Sequence, residues 1–155
     1  RLWLAPQGAG CDPSAAVRDV VLEEQAAGLE TFEAWADFQK RAEAAKNGLL
    51  RFLLLEQEAG RTVMGYGAAA KGNTLLNYAG VRSDLLPAVA DRAASKQGRY
   101  LPGSHIPVIS PAALAAHDPD GLLVLPWNLI DEVAQQWPGR RLATAIPEFR
   151  LRTES

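Results

Sequence analysis

The sequence predicts an α/β fold: a doubly wound, mainly parallel sheet preceded by a long helix. Three observations predict it. Beyond Gly60, short apolar runs alternate with stretches of helical character, the order that parallel pairing with helices on both faces requires. The first such run passes into a glycine-rich turn, Gly65-Tyr66-Gly67, and then into a helix carrying Lys71. Before them, residues 31–58 place Phe32, Trp35, Phe38, Ala42, Ala45, Leu49 and Phe52 three or four apart, the spacing of one buried helical face.

Each element has a local reason. Residues 6–13 hold two glycines and two prolines and read as a linker. Residues 15–25 read as a short helix with Ser14 as N-cap, interrupted at Gly28. The long helix then runs from about Thr31, a possible cap, to Glu58, with Gly60 just past its end. At 1.5 Å per residue it would be roughly 40 Å long, enough to brace two domains. The strands expected after it are 61–66, 88–91, 107–109, 122–125 and 142–145, with helices near 72–78, 111–117 and 129–136. Pro111 suits a first helical turn and Asn128 an N-cap.

Composition sets bounds. The 155 residues carry a net charge of −2, which gives no reason to expect nucleic-acid binding. A single cysteine, Cys11, can form neither an internal disulfide nor a multi-cysteine zinc site. No run approaches the roughly 20 apolar residues that span a bilayer, and no signal peptide is visible, so a cytoplasmic protein without a membrane partner is expected. The chain opens on Arg1, and its first five residues read as a strand without partners. The expected organisation is therefore a last strand of a preceding domain at 1–7, a helical connector and brace at 8–59, and the sheet domain at 60–152.

In a doubly wound sheet, ligands bind beyond the carboxyl ends of the strands. That rule makes neighbours of residues 65–73, 91–99, 110–111, 126–128 and 146–149. Gly65 to Ala70 fits the looser dinucleotide fingerprint, and Asp91 stands where an acid would bind a ribose hydroxyl. The same glycines would also serve a plain strand-to-helix turn. Lys71-Gly72-Asn73 is not a phosphate loop of the Walker type, which needs glycine before lysine and a hydroxyl after it. Arg92, Lys96 and Arg99 would join Lys71 around one cleft and suit a pyrophosphate, or else form a solvated basic loop. His105, in a stiff loop, is a candidate for a substrate hydroxyl or phosphate, or for tying the loop down. Trp127 offers a stacking surface or a core shelf. Glu148 can accept from a ligand or pair with Arg150 or Arg152. No serine–histidine–acid context and no metal-ligand spacing is visible.

Four ordered blocks carry a family resemblance. They are residues 65–78 (GYGAAAKGNTLLNY), Asp91-Arg92 with residues 96–100 (KQGRY), residues 101–107 (LPGSHIP), and residues 125–129 (LPWNL) with Asp131-Glu132. Together they resemble the C-terminal domain of the sugar C-methyltransferase family, enzymes that use S-adenosylmethionine on nucleotide-linked deoxysugars. Ala69 stands where proline is common there, and Ser104 where threonine is common.

The resemblance implies a Rossmann-like domain that helps hold a nucleotide sugar, usually a thymidine-diphospho-4-ketosugar methylated next to its ketone. It implies zinc and S-adenosylmethionine in other domains of a longer chain, no cofactor in this one, and no methylation by this piece alone. The partners implied are the nucleotide-sugar substrate and a preceding methyl-donor domain. Carried onto this sequence, Lys71, Asn73, Arg92, Lys96 and Arg99 would contact the nucleotide sugar, chiefly its diphosphate. Gly65, Gly67 and Gly72 would give backbone access, with Tyr66 beside them, and His105, Trp127 and Glu148 complete the candidate set. A nicotinamide-binding oxidoreductase domain and a non-binding brace are the alternatives.

Overall fold

The structure is a computed structural model that describes Pro6, Gly8, Ala9 and residues 14–152. The expected strand at Arg1–Ala5 and the lone Cys11 lie outside the described residues. The chain divides into two compact units, Arg1–Lys40 and Arg41–Ser155.

The first unit holds α1 (Ala15–Ala26), α2 (Phe32–Ala36) and the start of α3 (Phe38–Glu58). Ser14 takes the N-cap position of α1 but makes no side-chain capping bond, whereas Thr31 accepts the N–H of Ala34 at 3.4 Å. The expected continuous helix is therefore two helices, divided at Asp37. The predicted apolar stripe is not buried on either side of the break. Short helices are held by burial of a face rather than by propensity, and Phe32, Trp35 and Phe38 are 81%, 54% and 56% exposed. Trp35 instead donates its indole N–H to Leu29 O at 2.7 Å and lies against Phe38, ring centroids 6.2 Å apart. Farther along α3 the predicted stripe is buried as expected, at Ala45, Leu49 and Phe52.

The second unit is built on a six-stranded sheet. Its strands are β1 (Val63–Tyr66), β2 (Val89–Ala90), β3 (Val108–Ile109), β4 (Gly121–Val124), β5 (Arg141–Thr144) and β6 (Arg150–Arg152), in the order β3-β2-β1-β4-β5-β6. That is the order of the doubly wound dinucleotide-binding folds. The first five pair in parallel; β6, which the sequence reading lacks, returns antiparallel to β5 after a cis Ile146–Pro147 bond. The connecting helices are α4 (Ala70–Ala79), α5 (Pro111–His117) and α6 (Ile130–Gln136). Asn128 does not cap α6: a 3-10 turn over Trp127–Leu129 carries the chain straight into it.

Alternation along the strands makes two cores. Val63, Leu123 and Ala143 face α3 and α4 with Leu49, Phe52 and Leu76, while Met64, Leu122 and Leu142 face α5 and α6 with Leu114 and Val133. Strands buried on both faces are what a covered parallel sheet demands. Among the described residues Glu56 on α3 is a buried charge: 3% exposed, it takes two bonds from Arg61 (2.8 and 3.0 Å) and one from Arg141 (2.6 Å), fastening α3 to β5.

Candidate functional site

The strand order reverses between β1 and β4, and a cleft of about 260 Å³ opens there at the carboxyl ends of the strands. Tyr66, Gly67 and Ala69 line it from the β1–α4 turn, Asp91 and Arg92 from the end of β2, and Pro126 from the end of β4. Leu129, Glu132, Val133 and Gln136 close it along α6.

The glycines have distinct tasks. Gly67 has φ +84°, and a Cβ there would stand 2.5 Å from Pro126 Cδ, so this turn admits no side chain. Gly65 and Gly72 make room for neighbours: their missing Cβ atoms would lie 2.6 Å from Val89 Cγ2 and from Leu125 Cβ. Gly72 thus lets α4 sit down on β4. Of the three, Gly67 alone lines the cleft.

Asp91 already accepts three hydrogen bonds. Its Oδ2 accepts Ala68 N–H at 2.8 Å and Lys96 Nζ at 3.0 Å, and its Oδ1 accepts Ala93 N–H at 2.8 Å. Burial works to raise its pKa, yet the bonds from Ala93 and Lys96, the charge of Lys96 and the bond from Ala68 together hold the carboxyl below its ordinary value. Lys96 also donates to Ala68 O at 2.9 Å. Acid and lysine together lock the glycine turn against the end of β2.

The four expected cations do not converge. Arg92 alone lines the cleft, where its guanidinium donates to Gln136 Oε1, the oxygen that also accepts Tyr66 OH at 3.0 Å. Lys96 is spent on the turn. Lys71 lies with Trp127, its Nζ 5.2 Å from the ring centroid, over a separate apolar groove of about 310 Å³ bounded by α3 and α4. Arg99 is exposed and outside the cleft, its carbonyl accepting Val108 N–H at 2.8 Å. Lys71 stands one residue before Gly72, which meets Leu125 just after β4, and one residue is about 100° around a helix, so the lysine leaves α4 beside that contact and reaches Trp127.

Asn73, His105 and Glu148 do not line the cleft. Asn73 accepts Asn77 Nδ2 on its carbonyl at 2.9 Å, and the same amide reaches Pro102 O at 2.9 Å, which ties α4 to the 102–106 loop. His105 is exposed at φ +55° and donates its N–H to Leu101 O at 3.0 Å, so its backbone closes a turn. Glu148 pairs with Arg150, one of the two partners the sequence offers. Sequence reading quotes Glu132 only within the family resemblance, not as a site residue, and does not single out Gln136. Their spacing with Val133 puts them on one face of α6, but nothing local says that this face meets Tyr66.

The sequence model of the C-methyltransferase C-terminal domain matches residues 1–146. The chain belongs to that family. It is also 34% identical over 155 residues to C-methyltransferase NovU of Streptomyces niveus, a match that covers 97% of this chain and 37% of that protein. The chain therefore spans a little over a third of the length of that relative. This C-methyltransferase domain carries, among its described residues, no group of three or more histidine, cysteine or acidic side chains able to hold a metal, and no helix long and apolar enough to cross a membrane.

Proposed function

We propose that this C-methyltransferase domain holds the nucleotide-sugar substrate, a thymidine-diphospho-4-keto-deoxysugar, for an S-adenosylmethionine-dependent transfer to the carbon next to the ketone, in the cytoplasm. The observation that carries the reading is the cleft at the strand-order switch. It brings the Gly67 turn, Ala69 at the N-cap of α4 and the Arg92 guanidinium to one place, with the Asp91 and Glu132 carboxyls also on its wall. Amide hydrogens at a helix start and a two-pronged guanidinium are matched donors for a diphosphate. Gln136, already accepting from Arg92 and Tyr66, fixes the direction of that guanidinium. The methyl donor, the zinc-bearing region and the base that removes the proton beside the ketone belong, in this reading, to other parts of the longer enzyme. Asp91, the acid that the nicotinamide alternative would use, already accepts from Ala68, Ala93 and Lys96.

Calorimetric titration of the chain with thymidine diphosphate tests the reading, with NAD and S-adenosylmethionine as controls. Saturable heat with the thymidine nucleotide alone, weakened in Arg92→Ala, is the expected result. Heat with NAD alone would overturn it, and silence with every nucleotide would leave a bracing role for the domain.

A further inference from the structure

The cleft accounts for a diphosphate but not for the two groups that a diphosphate joins. In a nucleotide sugar these are a nucleoside and a sugar, one at each end. The apolar groove of about 310 Å³ bounded by α3 and α4 is the cleft's neighbour along the chain. Ala69 and Pro126 line the cleft, whereas Lys71 and Trp127, one or two residues on, line the groove. Lys71 belongs to the first turn of α4, the helix whose start faces the diphosphate. A ligand held there by its phosphates therefore has the groove within reach of one arm.

The walls decide which arm it takes. Ala45, Leu75 and Ile146 give aliphatic surface, and two aromatic rings stand open to a ligand: Trp127 is half-buried and Tyr78 46% exposed. Two ammonium groups lie at these rings, Lys71 Nζ 5.2 Å from the Trp127 centroid and Lys46 Nζ 5.6 Å from that of Tyr78. Among the described residues no carboxylate lines the groove, and the Thr74 hydroxyl donates to Ala70 O at 3.2 Å, within its own helix. An ammonium donates and cannot accept. Hydroxyl hydrogens of a sugar need acceptors, which this surface lacks and the Glu132 carboxylate on the α6 wall of the cleft supplies. A pyrimidine base presents a flat face and carbonyl oxygens, which need aromatic surface and donors. The groove has both, and its volume lies in the range of small-molecule sites.

We infer that this groove takes the thymine base, its face against Trp127, its ring methyl beside Ala45 and Leu75, and a ring carbonyl accepting from Lys71. The sugar is then left to the α6 wall of the cleft, at Glu132. The inference rests on the nucleotide-sugar reading and deepens it by giving base and sugar separate places. A cation over an exposed ring is held weakly, and Lys71 is exposed on a flexible stem, so its ammonium moves from ring to carbonyl as the base arrives.

NMR of the isotope-labelled chain decides the matter, with thymidine-diphospho-glucose and inorganic pyrophosphate as probes. Overhauser contacts from the thymine methyl to the methyls of Ala45 and Leu75 are expected, together with a shifted Trp127 indole signal. Pyrophosphate should move the Gly67 and Ala69 amides and leave the groove signals in place. Trp127→Ala should weaken the nucleotide sugar about tenfold, as losing one base stack does, with pyrophosphate affinity unchanged and Trp127→Phe restoring most of the loss. Lys71→Met, on the exposed side of α4, tests the carbonyl contact without disturbing the core and should weaken the nucleotide sugar about fivefold. Glucose protons in the groove in place of the thymine methyl would overturn the inference and leave the proposed function standing. So would contacts confined to the cleft, or undiminished binding by both the alanine and the methionine variants. No response to either probe would overturn both.

Discussion

Asp91 Oδ2 accepts the amide hydrogen of Ala68 at 2.8 Å, so the acid that ends β2 is the cap of the glycine turn that ends β1. Three donors converge on this one carboxylate, and two of them are backbone N–H groups. Replacing it with asparagine removes the charge and leaves one amide hydrogen facing another donor. Asp91→Asn should lower stability by about 1–3 kcal/mol, the range for an orphaned buried donor, in urea denaturation. A variant as stable as the parent would contradict the capping role.

Acid should unfold this chain through two carboxyls held below their ordinary range. Bonds from Arg61 lead the lowering at Glu56, joined by Arg141, against the opposing effect of burial. At Asp91 burial is the largest influence and is outweighed by its three donors. A folded-state pKa below the unfolded one adds stability in full above the unfolded value and loses it as pH falls through the folded one. The loss should begin near the ordinary values of 4.5 and 3.8 and continue below them. Thermal melts across acidic pH check this, and a midpoint that rises on acidification would refute it.

Glu56 joins α3 to β5 through Arg141 and to the next turn through Arg61. Glu56→Ala strands both arginines. Breaking a fully buried pair costs about 3–5 kcal/mol, but Arg61 and Arg141 keep 40% and 31% of their side chains in water. We expect about 2 kcal/mol, read from the shift of the denaturation midpoint.

Gly72→Ala should destabilise even though alanine is the better helix former. The new methyl would stand 2.6 Å from Leu125 Cβ, within a core that has no slack. Overpacking of this kind costs about 1–3 kcal/mol, more than the roughly 1 kcal/mol that replacing a helical glycine returns. An unchanged or raised melting temperature would show that α4 can lift off β4 at no cost.

Among the cations, nucleotide affinity should follow position rather than charge. Arg92→Ala removes a charge-assisted donor from the cleft and should weaken thymidine diphosphate by about tenfold or more. Arg99→Ala, outside the cleft, should change it less than about twofold by the same reckoning. Equal losses in the two titrations would mean that general charge, not the cleft, binds the nucleotide.

The order and type of the second unit's elements are legible in the sequence because they rest on local causes. Apolar runs between turns mark the five parallel strands, proline sets the start of α5, and glycines mark the turn after β1. The broken helix at Asp37 and the unannounced β6 show where local reading ends. Periodicity proposes a buried face but cannot supply a partner for Phe32 and Trp35. In Arg150-Leu151-Arg152, all three residues are exposed, so that strand carries no apolar signal and is marked only by its pairing with β5.

The candidate site divides along the same line. Residue types and spacing by themselves determine that a glycine turn, an acid and several cations stand near strand ends, and the resemblance those blocks carry names the family. Tertiary structure alone decides which of them meet. It turns Asp91 and Lys96 inward onto the turn, sends Lys71 to Trp127, leaves Arg92 in the cleft, and sets Thr144 opposite Arg150. Spacing along a chain fixes only which side of an element a residue occupies. The direction of a side chain, and the partner that satisfies it, follow from how elements distant in sequence pack, and those contacts are written in no single stretch of residues.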